Sequence, residues 1–214
     1  GDLGKAPMLD AWLLIDPEGR VTIFTGKVEL GQGVLTALSQ IAAEELDMEP
    51  SVIRIVSGDT RLTPDEGYTA GSQSIEYSGA ALRFACAEAR AILLEKAAAA
   101  LGVSADRPTT ANGAVTSPDG RKLTYGEIAK TGLFHHKATA KSPPKPAVNH
   151  KIVGKPVSRR DIPPKATGGP VYVQDMRMPG MVFGRIARPP GPRDRLEEID
   201  LDQVRRMPGV IAVV

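Results

Sequence analysis

The sequence predicts an α+β protein: mixed β-sheets around a long Ala-rich helix, followed by a second, loop-rich α+β module. Short β-rich runs at 11–15, 20–25 and 51–57 interleave with two helical patterns, at 34–46 and from about 75 to 101. The texture then changes, because most of the 18 prolines lie beyond position 142.

Length and composition set the outer limits. A chain of 214 residues, 42% hydrophobic and 24% charged, can bury a sizeable core in one large or two small domains. A net charge of +2 points to no dedicated nucleic-acid or membrane surface. No apolar run reaches the roughly 20 residues that a membrane-spanning helix needs. The single cysteine, Cys86, excludes an intrachain disulfide and any cysteine-based metal site. It falls in a small-residue helical run and reads as a buried apolar filler.

Taken in order, residues 1–12 form a lead-in anchored by Trp12. Asp16-Pro17-Glu18-Gly19 turns between the first two β-rich runs, which predicts a hairpin. Next comes Gly31-Gln32-Gly33, at the joint between a β-rich run and the helix that Val34, Leu38, Ile41, Ala42 and Leu46 define. Glycines there let the backbone approach a ligand, and helix-start N–H groups suit an anionic or amide-rich partner. Glu44, Glu45 and Asp47 read as the solvated end of that helix. The stretch 58–74, GDTRLTPDEGYTAGSQS, concentrates hydroxyls, amides and glycines just before the long helix. Thr69 or Ser72 is expected to cap that helix, and Gly102 to end it.

A hairpin is expected around 114–116, between the turns Asn112-Gly113 and Asp119-Gly120, with a short helix running from 124 to near Gly132. Between Lys137 and Arg160 the chain carries seven basic residues and no acidic one, with four prolines, and reads as an extended, solvated linker. His135 and His136 lack partners at ligand spacing and read as surface residues. Strands are expected at 171–173, 181–187 and 210–214, with a helix at 196–207. The closing apolar run has no turn after it, as expected of a chain cut or split there.

Three segments carry a resemblance: GKVELGQGVLTALSQIAAEELDM, SGDTRLTPDEGYTAGSQSIEYSGAALRFA, and VGKPVSRRDIPPKATGGPVYVQDMRMPGMVFGRIARPP with DLDQVRRMPGVIAVV. They resemble the molybdopterin-binding subunit of the xanthine dehydrogenase/aldehyde oxidase family, in the branch typified by the β-subunit of isoquinoline 1-oxidoreductase. The order agrees with that branch, since the Gly-Gln-Gly segment precedes the third segment, which resembles the a/b hammerhead domain. The resemblance implies residues 1–133 as the N-terminal part of the molybdopterin-binding domain. It implies 134–150 as a basic Pro-rich linker and 151–214 as an incomplete hammerhead domain.

It also implies a cofactor: molybdenum on the dithiolene of a pterin, in bacteria often extended as the cytosine dinucleotide. Gly31, Gln32 and Gly33 would contact the pterin and dithiolene region. Thr69, Gly71, Ser72 and Ser74 would hold the pterin or its phosphate. Such a ligand asks for many neutral donors at close range rather than a charge cluster. The family hydroxylates aldehydes or electron-poor N-heterocycles with water-derived oxygen and passes electrons to [2Fe-2S] clusters on a partner subunit, in some members onward to cytochrome c. Its glutamate base has no matching position here, so no catalytic residue and no metal ligand is assigned, and the chain alone is expected to be inactive. The remaining large subunit or a companion chain would complete the site. Export to the periplasm is implied by resemblance alone, with the cytoplasm as the alternative; substrate and electron acceptor are not implied.

Two other readings stay open at this point. One is a non-catalytic cofactor-binding or assembly module. The other is an unrelated nucleotide-binding enzyme, disfavoured because the loop has no P-loop lysine and no third glycine. An isolated chain of this kind is expected to expose apolar patches and self-associate.

Overall fold

The computed structural model describes residues 2–129, 133–170 and 172–214, in two units, Gly1–Pro170 and Val171–Val214. In the first unit the hairpin forms as expected. Strand β1 (Leu13–Ile15) pairs antiparallel with β2 (Val21–Thr25), with Leu13 opposite Ile23. Helix α1 (Val34–Leu46) then crosses over to β3 (Arg54–Ser57), which lies parallel to β2 with Ile23 opposite Ile55. A parallel pair needs such a crossover, and here it places the Gly-Gln-Gly joint at the end of the β2 segment.

Helix α2 (Ala80–Leu101) lies against α1 and ends at Gly102, whose left-handed φ of 67° suits glycine, as expected. Its buried face is made of Ala81, Ala85, Cys86 and Ala89, so the two helices approach closely. Burial pushes the Cys86 thiol pKa up, which leaves it a protonated apolar filler. Strands β4 (Thr109–Ala111), β5 (Ala114–Thr116) and β6 (Lys122–Thr124) form an antiparallel meander, one strand more than the expected hairpin. Helix α3 (Tyr125–Ala129) follows, and its expected end near Gly132 lies outside the described residues. Tyr125 is buried and its hydroxyl donates to the Leu46 carbonyl at 2.7 Å, tying α3 to the end of α1.

Two expectations fail here. Glu44 and Glu45 are buried rather than solvated, and Glu88 of α2 is buried as well. Each takes backbone N–H groups from the basic Pro-rich segment that sequence reads as a free linker. Glu88 accepts from Thr139 and Ala140 N–H at 2.9 Å. Glu45 accepts from Lys145 N–H at 3.1 Å. Glu44 accepts from Lys151, Ile152 and Val153 N–H, at 2.9, 2.7 and 2.9 Å from its Oε2. The physical reason is that a proline-rich strap packed on helices has no ladder to satisfy its amides, so buried carboxylates serve instead.

Burial pushes the Glu44 carboxyl pKa up, but the N–H groups of Ile152, Val153 and Lys151 and the Lys145 charge outweigh this and hold it below the ordinary 4.5. The fold therefore prefers the ionised form. Its contribution is complete above the ordinary value and is lost as pH falls through the lower folded value. Amide exchange at Ile152 and Val153 is expected to accelerate below about pH 4.5 relative to core amides such as Ile23. Equal acid response at both places would contradict the strap's dependence on Glu44.

Two short helices remain, α4 (Ile162–Ala166) in the first unit and α5 (Leu201–Arg205) in the second. The second unit, by itself, differs from expectation. Its described residues form no strand; they hold a 3₁₀ turn at Val173–Asp175 and α5, shorter than the expected 196–207 helix and capped by Asp200. The β-rich runs there lack a pairing neighbour, and Val182, Phe183, Ile186 and Ile211 are exposed. A lone strand is not stable without a ladder partner.

Candidate functional site

The site is built where β2 runs out. Inward-facing alternation along the strand continues past its end, through Val21, Ile23, Thr25 and Lys27. Lys27 is fully buried, and its ammonium donates to the carbonyls of Glu66, Gly67 and Tyr68 at 2.8, 3.4 and 2.5 Å. In return, the buried Glu66 carboxylate accepts from Thr25 Oγ1 at 2.5 Å and from Gly26 N–H at 2.6 Å. A third lashing is neutral: Val28 N–H donates to Thr69 Oγ1 at 3.0 Å. The two irregular stretches that sequence singles out are thus held side by side. Contact is close, since a Cβ on Gly26 would stand 2.5 Å from the Pro64 carbonyl oxygen.

Thr69 therefore does not cap the long helix, and neither does Ser72. The chain enters α2 through a π-helical turn, Ser74–Gly79, and no side chain caps either segment. Gln32 sits exposed at the tip of its loop, its amide turned back to donate to Val28 C=O at 3.1 Å and accept from Leu30 N–H at 2.6 Å. Gly31 and Gly33 both have positive φ, 105° and 83°. In the second stretch Gly71 is exposed with φ 60°, and Ser72 holds φ 62°, a conformation that a non-glycine residue adopts rarely. Among the described residues no hydrogen bond occupies the Ser72 or Ser74 hydroxyl.

The start of α1 departs from expectation. Its donors do not await a ligand, because Glu29 fills them: Oε1 accepts from Gly31 and Gly33 N–H at 2.8 Å each, and Oε2 from Leu35 N–H at 3.4 Å. An external phosphate at that helix end would meet a carboxylate. Arg159 lies 3.6 Å from Glu29 and is paired bidentately with Asp161, which also binds Lys165. The Arg159 and Lys165 partners hold the Asp161 carboxyl well below the usual carboxylate range, and Asp161 in turn raises Arg159.

A pterin presents fused-ring amide edges, and the residues present fit such a ring. Cβ atoms on Gly31 and Gly71 would meet nothing within 4 Å, so both backbones face open space. The side-chain donors nearest these glycines in sequence are neutral: the Gln32 amide beside Gly31, and the Ser72 and Ser74 hydroxyls after Gly71. Leu30 and Tyr68 on the two loops, and Ile75 and Tyr77 on the π-helical turn, are exposed apolar side chains. Sequence reasoning missed Lys27 and Glu66, although the period-two alternation leading to Lys27 is readable. Nothing in the turn-rich stretch marks Glu66 as buried.

A mixed β-α-β unit thus carries a glycine-bearing joint that is tied to a neighbouring polar loop. The chain belongs to the molybdopterin cofactor-binding domain family, whose model matches residues 3–158. This is the xanthine dehydrogenase/aldehyde oxidase family that the three sequence segments resemble. The chain is 37% identical to a nicotinate dehydrogenase subunit from Pseudomonas putida, over 98% of its own length and 18% of that protein's. It is 29% identical to the β-subunit of isoquinoline 1-oxidoreductase from Brevundimonas diminuta, over 94% of its length and 31% of that protein's. Among solved structures it resembles reconstituted CO dehydrogenase from Oligotropha carboxidovorans, with 29% identity, a TM-score of 0.49, and 55% of this chain and 15% of that one covered. The chain thus spans under a third of the length of these curated relatives.

Proposed function

We propose that these residues supply the pterin-binding loops of a molybdenum hydroxylase that oxidises aldehydes or N-heterocycles with water-derived oxygen. The observation that carries this reading is the Lys27–Glu66–Thr69 lashing. It holds two glycine-bearing loops side by side, with Gly31, Gln32, Gly71 and Ser72 exposed on them, in a chain of this family. In this reading residues 1–133 are part of the molybdopterin-binding domain, 134–150 connect, and 151–214 belong to a hammerhead domain.

The residues divide the work of binding. Gln32, freed from its own loop by a rotation of its amide, offers one donor and one acceptor to a pterin edge or to the dithiolene region. Gly31 and Gly33 let the ring lie against backbone. Thr69, already fixed to Val28, sets the height of the second loop, from which Gly71, Ser72 and Ser74 donate to ring or phosphate oxygens. When bound, the cofactor supplies the two-electron oxidising centre. No residue of this chain is assigned as the base: Glu29 is committed to loop amides and Glu44 and Glu45 to the strap. Alone, the chain is inactive. The remaining large subunit or a companion chain, a [2Fe-2S] subunit, the cytosine dinucleotide form of the cofactor, onward transfer to cytochrome c and a periplasmic location complete the proposal, by family likeness.

The test is molybdenum and pterin content of the complete enzyme carrying Gln32→Ala or Ser72→Ala. Each is expected to lose at least half of its cofactor, about 1 kcal/mol for one neutral hydrogen bond at subsaturating supply, while folding normally. Full loading of both variants would sink the reading.

A further inference from the structure

We infer that Glu29 and Arg159 are positioning residues that hold the Gly31-Gln32-Gly33 loop in its ligand-ready shape; the inference rests on the cradle proposed above. A glycine-bearing loop is floppy unless something fixes it, because each glycine gains much conformational freedom when released. Here one carboxylate fixes it from inside. Glu29 binds the amides on either side of Gln32 and reaches on to Leu35 in the first turn of α1. With those amides taken, the loop closes around Glu29 and Gln32 is left at the exposed tip.

Arg159 holds the carboxylate from outside. It comes from the far end of the strap, 130 residues later in sequence, and its guanidinium also covers Gly33. A Cβ there would touch its Nε at 3.5 Å and Cζ at 3.6 Å. Asp161 and Lys165 complete an alternating row of four charges, Glu29, Arg159, Asp161 and Lys165, with no net charge. The carboxylate side chains of Glu29 and Asp161 are each 11% exposed, so the row is only partly screened by water. The neighbouring Arg160 anchors the same segment to the α1–β3 side. Its N–H donates to Thr36 Oγ1, and its Nη1 to Ser39 Oγ at 2.8 Å and to Ile53 C=O at 2.5 Å. The strap thereby acts as a brace from the helices to the cofactor loop.

Hydrogen exchange on the cofactor-free complete enzyme tests this independently of cofactor binding. In Glu29→Gln and Arg159→Ala, exchange across 29–35 is expected to rise about threefold to tenfold, with 66–74 and the melting temperature nearly unchanged. Arg159→Lys, which keeps the charge, is expected to restore most of the protection, and molybdenum content is expected to follow the same order. Unchanged exchange across 29–35 in both charge-removing variants overturns the inference, and so does a loss spread over the whole unit that Arg159→Lys does not rescue. If exchange rises while cofactor content stays full, the brace stands and the cradle reading fails.

Discussion

Lys27→Met is expected to lower the stability of the first unit by about 3–5 kcal/mol and to release the 66–74 loop. Methionine keeps the length and apolar stem of the side chain, so packing is nearly conserved and the ammonium is what is removed. Three carbonyls, of buried Glu66 and of the exposed residues Gly67 and Tyr68, then lose their charged donor. A hydrogen bond from a charged donor contributes about 1.5–3 kcal/mol, and a buried acceptor left without one costs its full desolvation. Against a typical total of about 5–15 kcal/mol, that is a large fraction. Thr69→Val removes only one neutral bond in the same place and is expected to cost about 1 kcal/mol. Urea unfolding compares the two variants, and proteolysis within 66–74 reports the loop. A Lys27→Met loss no larger than that of Thr69→Val would show that the buried ammonium does not hold the loops together.

Glu45→Ala is expected to cost a similar amount, about 3–5 kcal/mol, at the other end of the unit. The Glu45 carboxylate is 1% exposed and lies 3.1 Å from Arg83 Nε and 3.3 Å from Arg90 Nη1. It also takes the Lys145 N–H through both oxygens. Removing it strands two cations, of which Arg90 is only 15% exposed, and frees the middle of the strap. The double variant Glu45→Ala/Arg90→Met is expected to recover part of the loss, because one stranded charge goes with its partner. Protease sensitivity between 137 and 160 should rise in the single variant. Additive losses in the double variant would mean that Glu45 and Arg90 are not coupled, so that a stranded Arg90 charge is not what makes Glu45→Ala costly.

These two sites mark where sequence is readable and where it is not. The hairpin, α1, the Ala-rich α2 and its Gly102 terminus follow from periodicity and turn chemistry, and all of them form. Glu44 and Glu45 defeat such reasoning because acidic residues at a helix end ordinarily face water, and periodicity carries no sign of a later segment covering them. The strap defeats it for the complementary reason: lysines and prolines resemble a solvated linker, while the unmet demand of its amides is invisible until packing is known. In the second unit, β-rich composition suggests strands, but composition cannot supply a pairing partner. The polar loops themselves are visible through their hydroxyls and glycines. Which groups face outward is not: Thr69 joins the loops, and Glu29 fills the helix start that sequence leaves open to a ligand.

The most direct test of the central claim compares hydrogen exchange in the complete enzyme with and without its molybdenum cofactor. The account predicts that loading protects 28–33 and 66–74 together and leaves β4–β6 unchanged. Loading that protects neither stretch, or only one of them, would contradict a cradle made from both loops.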